Sequence, residues 1–133
     1  MGRRTLALLA AGLLVGLVAL VASASDSDND GVDDALDNCS RVRNPPPFDL
    51  DVDHDGYGNL CDADLNNDMF CDAGDAALWF GIFQAGTNAP LGDMDMNGRV
   101  NAHDYEVFYS LFSSPTCPGP SGLYCAGTIP CSP

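Results

Sequence analysis

One acidic pattern, 12 residues long, occurs four times in this chain: Asp26–Asp37 (DSDNDGVDDALD), Asp51–Asp62 (DVDHDGYGNLCD), Asp64–Asp75 (DLNNDMFCDAGD) and Asp93–Asp104 (DMDMNGRVNAHD). Each copy has Asp or Asn at positions one, three, five and nine, and Asp at position twelve. Disordered segments are often this acidic, but disorder requires neither a fixed period nor a Gly at a fixed offset. Gly31, Gly56 and Gly98 all fall at position six, where a sharply turning backbone favours a residue free to take positive φ.

This spacing matches what a calcium ion needs. In a tight turn, alternate residues point their oxygens inward; position seven lends a backbone carbonyl, position nine often acts through water, and position twelve closes the far side. The ligand set expected is Asp26, Asp28, Asp30, Val32, Asp34 and Asp37 in the first loop and Asp51, Asp53, Asp55, Tyr57, Asn59 and Asp62 in the second. The third offers Asp64, Asn66, Asp68, Phe70, Asp72 and Asp75, and the fourth Asp93, Asp95, Asn97, Arg99, Asn101 and Asp104. Met69 stands at position six of the third loop, where a side chain meets a steric penalty, so that loop is expected to bind more weakly or to bend differently. Position twelve is always the short Asp and never Glu, which suits structural sites of modest affinity, with a Kd of about micromolar to millimolar.

The charge balance agrees. Of 19 acidic residues 18 are Asp, only Glu106 is Glu, and there is no Lys. Net charge is −14, and −16 once Arg3 and Arg4 are removed. Such a chain repels itself and resists compaction, and four dications would bring −16 to −8. A nucleic-acid partner is excluded on the same ground, because phosphate contact needs Lys and Arg.

Residues 1–24 read as an export signal: a basic start, an uncharged apolar run from Leu6 to Val21, and Ala22-Ser23-Ala24 as the small-residue cleavage site. The run is shorter than the roughly 20 residues that span a bilayer, so no membrane association is expected after cleavage. The expected location is extracellular or the cell surface. All six cysteines follow the signal, and an even count in a small exported chain implies disulfides, whose pairing sequence alone leaves open. Zinc is a poor fit, since no Cys-x-x-Cys pair exists.

Beyond the signal, residues 25–62 carry two acidic loops and an extended Asn44-Pro45-Pro46-Pro47 stretch but too little apolar sequence for a core. Residues 63–114 differ. Each of their two loops is followed by an apolar run, Ala76–Phe83 and Tyr105–Phe112, expected to form helices capped by Asp75 and Asp104 and ending near Gly86 and Pro115. Both runs are apolar on nearly every side. The Pro/Gly/Cys-rich tail, 115–133, is therefore expected to fold back over them, unless an apolar face stays free for a partner. Cys71 and Val100, at position eight of their loops, are expected to pair as a short strand contact.

Two resemblances follow. The runs DSDNDGVDDALDNCSRVRNP and DLDVDHDGYGNLCD resemble thrombospondin type 3 repeats, although Pro46 and Pro47 stand where that family has Gln after Asn-Pro. The resemblance implies Asp-rich strings wrapped around calcium and a disulfide between Cys39 and Cys61. The loop–helix, linker, loop–helix order of 63–114 resembles a dockerin domain, with Met69 as the departure. That resemblance implies a module that folds on calcium and docks onto a cohesin-like partner, usually tethering polysaccharide-degrading enzymes. Ala73, Gly74, Ala102 and His103 occupy positions where many dockerins carry Ser or Thr, and no basic residue follows on the helices.

The fold expected is small, calcium-stabilised, mostly irregular and disulfide-bonded, with thrombospondin type 3-like acidic loops followed by a two-helix, EF-hand-like all-α module. No active site is legible: there is no nucleophile elbow and no phosphate-cradling Gly loop. Carboxylates that hold calcium stay ionised, the opposite of what a glycosidase acid requires. A secreted structural or adhesion-type calcium-binding protein is expected, with cohesin docking as the alternative.

Overall fold

The structure, a computed structural model, describes residues 24–132. The export signal expected over 1–24 lies outside the described residues except for Ala24. Most of the described chain is turns and loops. It holds two helices, α1 (Ala73–Gln84) and α2 (Ala102–Phe112), with a short 3-10 turn at Pro90–Gly92 between them, and no strand among the described residues. No helix of the described residues is long and apolar enough to cross a membrane.

Both helices start earlier than the apolar runs suggest. Asp72 caps α1 and Asn101 caps α2, each accepting from the N–H two residues on, while Asp75 and Asp104 occupy the third helical position and accept from the cap's own N–H. Asp75 and Asp104 are therefore not the caps. Each is the second half of a capping box, which satisfies two orphan donors at once and so favours the longer helix. Helix α1 ends at Gln84 with Ala85 as its C-cap, and Gly86 follows at φ +65°, the left-handed residue that commonly closes a helix.

The core is small: Ala63, Leu65, Trp79, Met94 and Phe108 are buried, with Leu91, Val107, Leu111 and Phe112 against them. Trp79 and Phe108 stack with ring centroids 5.8 Å apart, and the Trp79 indole N–H donates to the Gly92 carbonyl at 3.3 Å. Each helix buries one aromatic four residues after its buried Asp. The loop carboxylate and the core ring thus lie on the same face of the helix, because residues four apart are neighbours there.

The tail does not cover the helices. Cys117 joins Cys71 at the rim of the core, and the chain then crosses to the first two acidic loops. There the N–H groups of Gly119, Gly122, Gly127 and Cys131 donate to the carbonyls of Cys61, Asp37, Asp55 and His54. The loops have carbonyls that lack ladder partners, and a buried carbonyl without a donor is costly. The helices' outer faces offer no such groups. Gly56, at φ +93°, lets the tail come this close; a Cβ there would lie 2.6 Å from Cys131 Sγ. Two further disulfides, Cys39–Cys61 and Cys125–Cys131, fasten the two loops and close a small ring in the tail. Leu78, Phe80, Phe83, Tyr105 and Tyr109 consequently stay exposed on α1 and α2. The expected Cys71–Val100 strand contact does not form: Cys71 is held by Cys117, and the Val100 N–H donates to the Asn88 side chain at 3.3 Å.

Candidate metal centres

All four acidic segments fold into one backbone shape. Position four is left-handed in every copy: Asn29 (φ +61°), His54 (+63°), Asn67 (+60°) and Met96 (+57°). Position six is left-handed too, as Gly31, Gly56, Met69 and Gly98, with Met69 at +69°. The side chain of Met69 therefore leaves the bend in place, held at a conformation that disfavours it.

The first carboxylate of each loop fixes that bend. Asp26 accepts from Asp30 and Gly31, and Asp51 from His54 and Gly56. Asp64 likewise accepts from Asp68 and Met69, and Asp93 from Asn97 and Gly98. The last carboxylate then divides the loops into two kinds. Asp75 and Asp104, both fully buried, close the third and fourth loops by accepting from positions three and nine: Asn66 and Asp72, Asp95 and Asn101. In the first two loops, Asp37 and Asp62 accept instead from residues beyond the loop, Cys39 and Asp64. There the position-nine side chains swing back to position two: Asp34 accepts from the Ser27 N–H and Asn59 from the Val52 N–H.

Carboxylate oxygens of Asp26, Asp28 and Asp30 lie within 4.8 Å of one another, as do those of Asp51, Asp53 and Asp55, and of Asp93, Asp95 and Asp104. These groups can hold a metal ion. The third loop repeats the fourth, with Asp64 and Asp75 accepting from the same positions as Asp93 and Asp104, but its position three is the amide Asn66 where the fourth has Asp95, so no group of three carboxylates forms there; Asp68 accepts from Phe70 and Asp72 caps α1. Asp34 and Asn59 stand apart as described, Asn97 donates to Asp95, and Asn101 caps α2. Asp62 also lies near the sulfurs of Cys71 and Cys117, but these form a disulfide and offer no thiolate.

The donor chemistry fits a hard cation. Among the described residues, no hydrogen bond reaches the position-seven carbonyls of Val32, Tyr57 and Phe70, and that of Arg99 takes only one from Asn101 at 3.5 Å. Five buried side-chain atoms lack any partner: Asp28 Oδ2, Asp37 Oδ2, Asn44 Oδ1, Asp53 Oδ2 and Asn67 Oδ1. All five are oxygens. A site of oxygens alone selects calcium-, magnesium- or manganese-type ions over zinc or copper. Electrostatics agree. Burial, then the neighbouring carboxylates, pushes the Asp62 carboxyl up to about 9 and the Asp55 carboxyl up to about 7. Burial likewise raises Asp28, Asp37, Asp53, Asp64 and Asp93. Asp34 alone is lowered, by hydrogen bonds from Ser25 and then Ser27.

The left-handed position four was not part of the sequence reading. Asn at two of its four occurrences, a residue tolerant of that region, was the available signal. No family model, curated protein or solved structure matches this chain.

Proposed function

We propose that this chain is a secreted calcium-binding structural or adhesion-type protein with no catalytic role, whose fold depends on calcium held in the four acidic loops. The observation that carries this reading is the common loop geometry. Four sequences share left-handed residues at positions four and six, and in each the first carboxylate pins the bend. The chain thereby spends conformational strain and like-charge repulsion to gather oxygens, which a divalent ion offsets. Calcium suits the site better than magnesium, which demands near-ideal octahedral geometry and keeps its waters.

Native mass spectrometry of the oxidised chain during calcium titration, with circular dichroism in calcium and in EGTA, tests the reading. Binding of up to four ions, with helix signal lost on chelation, is the expected result. A spectrum unchanged between excess EGTA and millimolar calcium would sink it.

A second reading, docking onto a cohesin-like protein within a polysaccharide-degrading assembly, is favoured by one observation. Phe80, Tyr105 and Tyr109 form an exposed row of rings with centroids 5.6 and 6.0 Å apart. A pull-down against cohesins, compared between the native chain and Tyr109→Ala, separates the two readings.

A further inference from the structure

The first two loops leave oxygens open that their own 12 residues do not explain. In both, the unpartnered buried atoms include the second carboxylate oxygen of position three, Asp28 Oδ2 and Asp53 Oδ2. In both, one further orphan comes from an asparagine beyond the loop: Asn44 Oδ1 for the first, Asn67 Oδ1 for the second. Asn44 is 1% exposed, and Asp37, whose Oδ2 is also unpartnered, is 3% exposed.

Asn44 is held where it can reach the first loop. Its backbone N–H donates to Asp30 Oδ2 at 2.9 Å, and its Nδ2 donates to Asn38 Oδ1 at 2.6 Å, so only the side-chain oxygen is left without a partner. Asn67, at position four of the third loop, is half-buried and donates a side-chain N–H to the Asp53 carboxylate of the second, so its orphaned oxygen is not the atom that faces that carboxylate. Among the residues of the third and fourth loops Asn67 Oδ1 is the one such orphan, and there the position-twelve carboxylate closes the loop from within. In the first two, position nine has swung away to position two, and in the first Asn44 arrives from outside.

We propose that Asn44 is a cation ligand, lent to the first loop by the chain beyond it through its side-chain oxygen. The inference rests on the calcium reading of that loop. A buried water is the bland alternative, but the three orphans on this side, Asp28 Oδ2, Asp37 Oδ2 and Asn44 Oδ1, are all acceptors, and one water has only two protons to give. A cation is bound by acceptors alone, and amide carbonyls are ordinary calcium ligands.

A crystal structure of the full chain grown with calcium, and calcium titrations of Asn44→Asp and Asn44→Ala, test this. An ion-to-Oδ1 distance of about 2.3–2.6 Å is expected, with about tenfold weaker binding at one site in Asn44→Ala. The Asp substitution discriminates further. Asn44→Asp removes the donor to Asn38 but adds charge at the ion, so a ligand role predicts tighter calcium binding and a purely structural role predicts weaker binding. An ion seated in the first loop with the Asn44 oxygen beyond about 3.5 Å, or an Asp variant that binds more weakly than the native chain, overturns the inference while leaving the calcium reading intact. A native chain that takes up no calcium overturns both.

Discussion

Single residues set what each loop tolerates. Met69 occupies a left-handed position that Gly fills in the other three copies. Met69→Gly is expected to stabilise the calcium-loaded protein by about 1 kcal/mol, the usual cost of a side chain in that region, read as a raised melting temperature. Asp55 and Asp62 make the calcium-free fold sensitive to pH. Their carboxyls ionise less readily when folded than the roughly 3.9 of an unfolded Asp, at about 7 and about 9. Their contribution therefore favours the folded state at low pH and is lost as pH rises from about 4 through these values. Helix signal in EGTA should therefore be retained at pH 5 and lost by pH 8. With saturating calcium the slope should reverse, because protons and ion compete for the same oxygens. Equal slopes in the two conditions would contradict the assignment of these carboxylates to an ion.

At the scale of elements, the two helices were legible and their starts were not. The apolar runs Ala76–Phe83 and Tyr105–Phe112 mark the helix bodies, and Asp75 and Asp104 stood out as caps because they immediately precede them. The caps lie three residues earlier, since position nine and position twelve of a loop are also the two ends of a capping box. The pattern was present in the sequence as Asp72-x-x-Asp75 and Asn101-x-x-Asp104, read only as metal spacing. Asp72→Ala separates the two uses. It should cost about 1 kcal/mol of helix stability in the calcium-free protein at pH 5 as well as in calcium. A loss seen only with calcium present would assign Asp72 to the ion rather than to the helix. Three of the four loop bends were legible through Gly31, Gly56 and Gly98, while Met69 concealed the bend of the third, and no residue pattern said that position twelve would close two loops from within and two from beyond.

For the whole molecule, the tail was read as a lid for the helices and is instead a strap over the first two loops. Nothing in the Pro/Gly-rich sequence distinguishes the two destinations, because the contacts are backbone N–H groups that any residue but Pro supplies. Gly56→Ala tests the strap: its Cβ would meet both Cys131 Sγ and the Ala126 backbone. Such overpacking should destabilise the fold by about 1–3 kcal/mol and speed hydrogen exchange at the Gly127 and Cys131 amides. Exchange left slow there would show that the tail is held by something other than this approach.

The strap joins residues far apart in the chain, Asp37 and Ser121 for example lying 84 positions from each other. Synthesis delivers the chain from its amino end, so the loops at Asp26 and Asp51 emerge long before the segment that seals them. At about 5–20 residues per second, the delay from Cys61 to Cys131 is on the order of several seconds. Throughout that interval the earliest-made part of the protein waits unfinished on the latest. A stop codon falling just before Gly119 would thus do its harm at the opposite end of the gene product, in loops whose own code is intact.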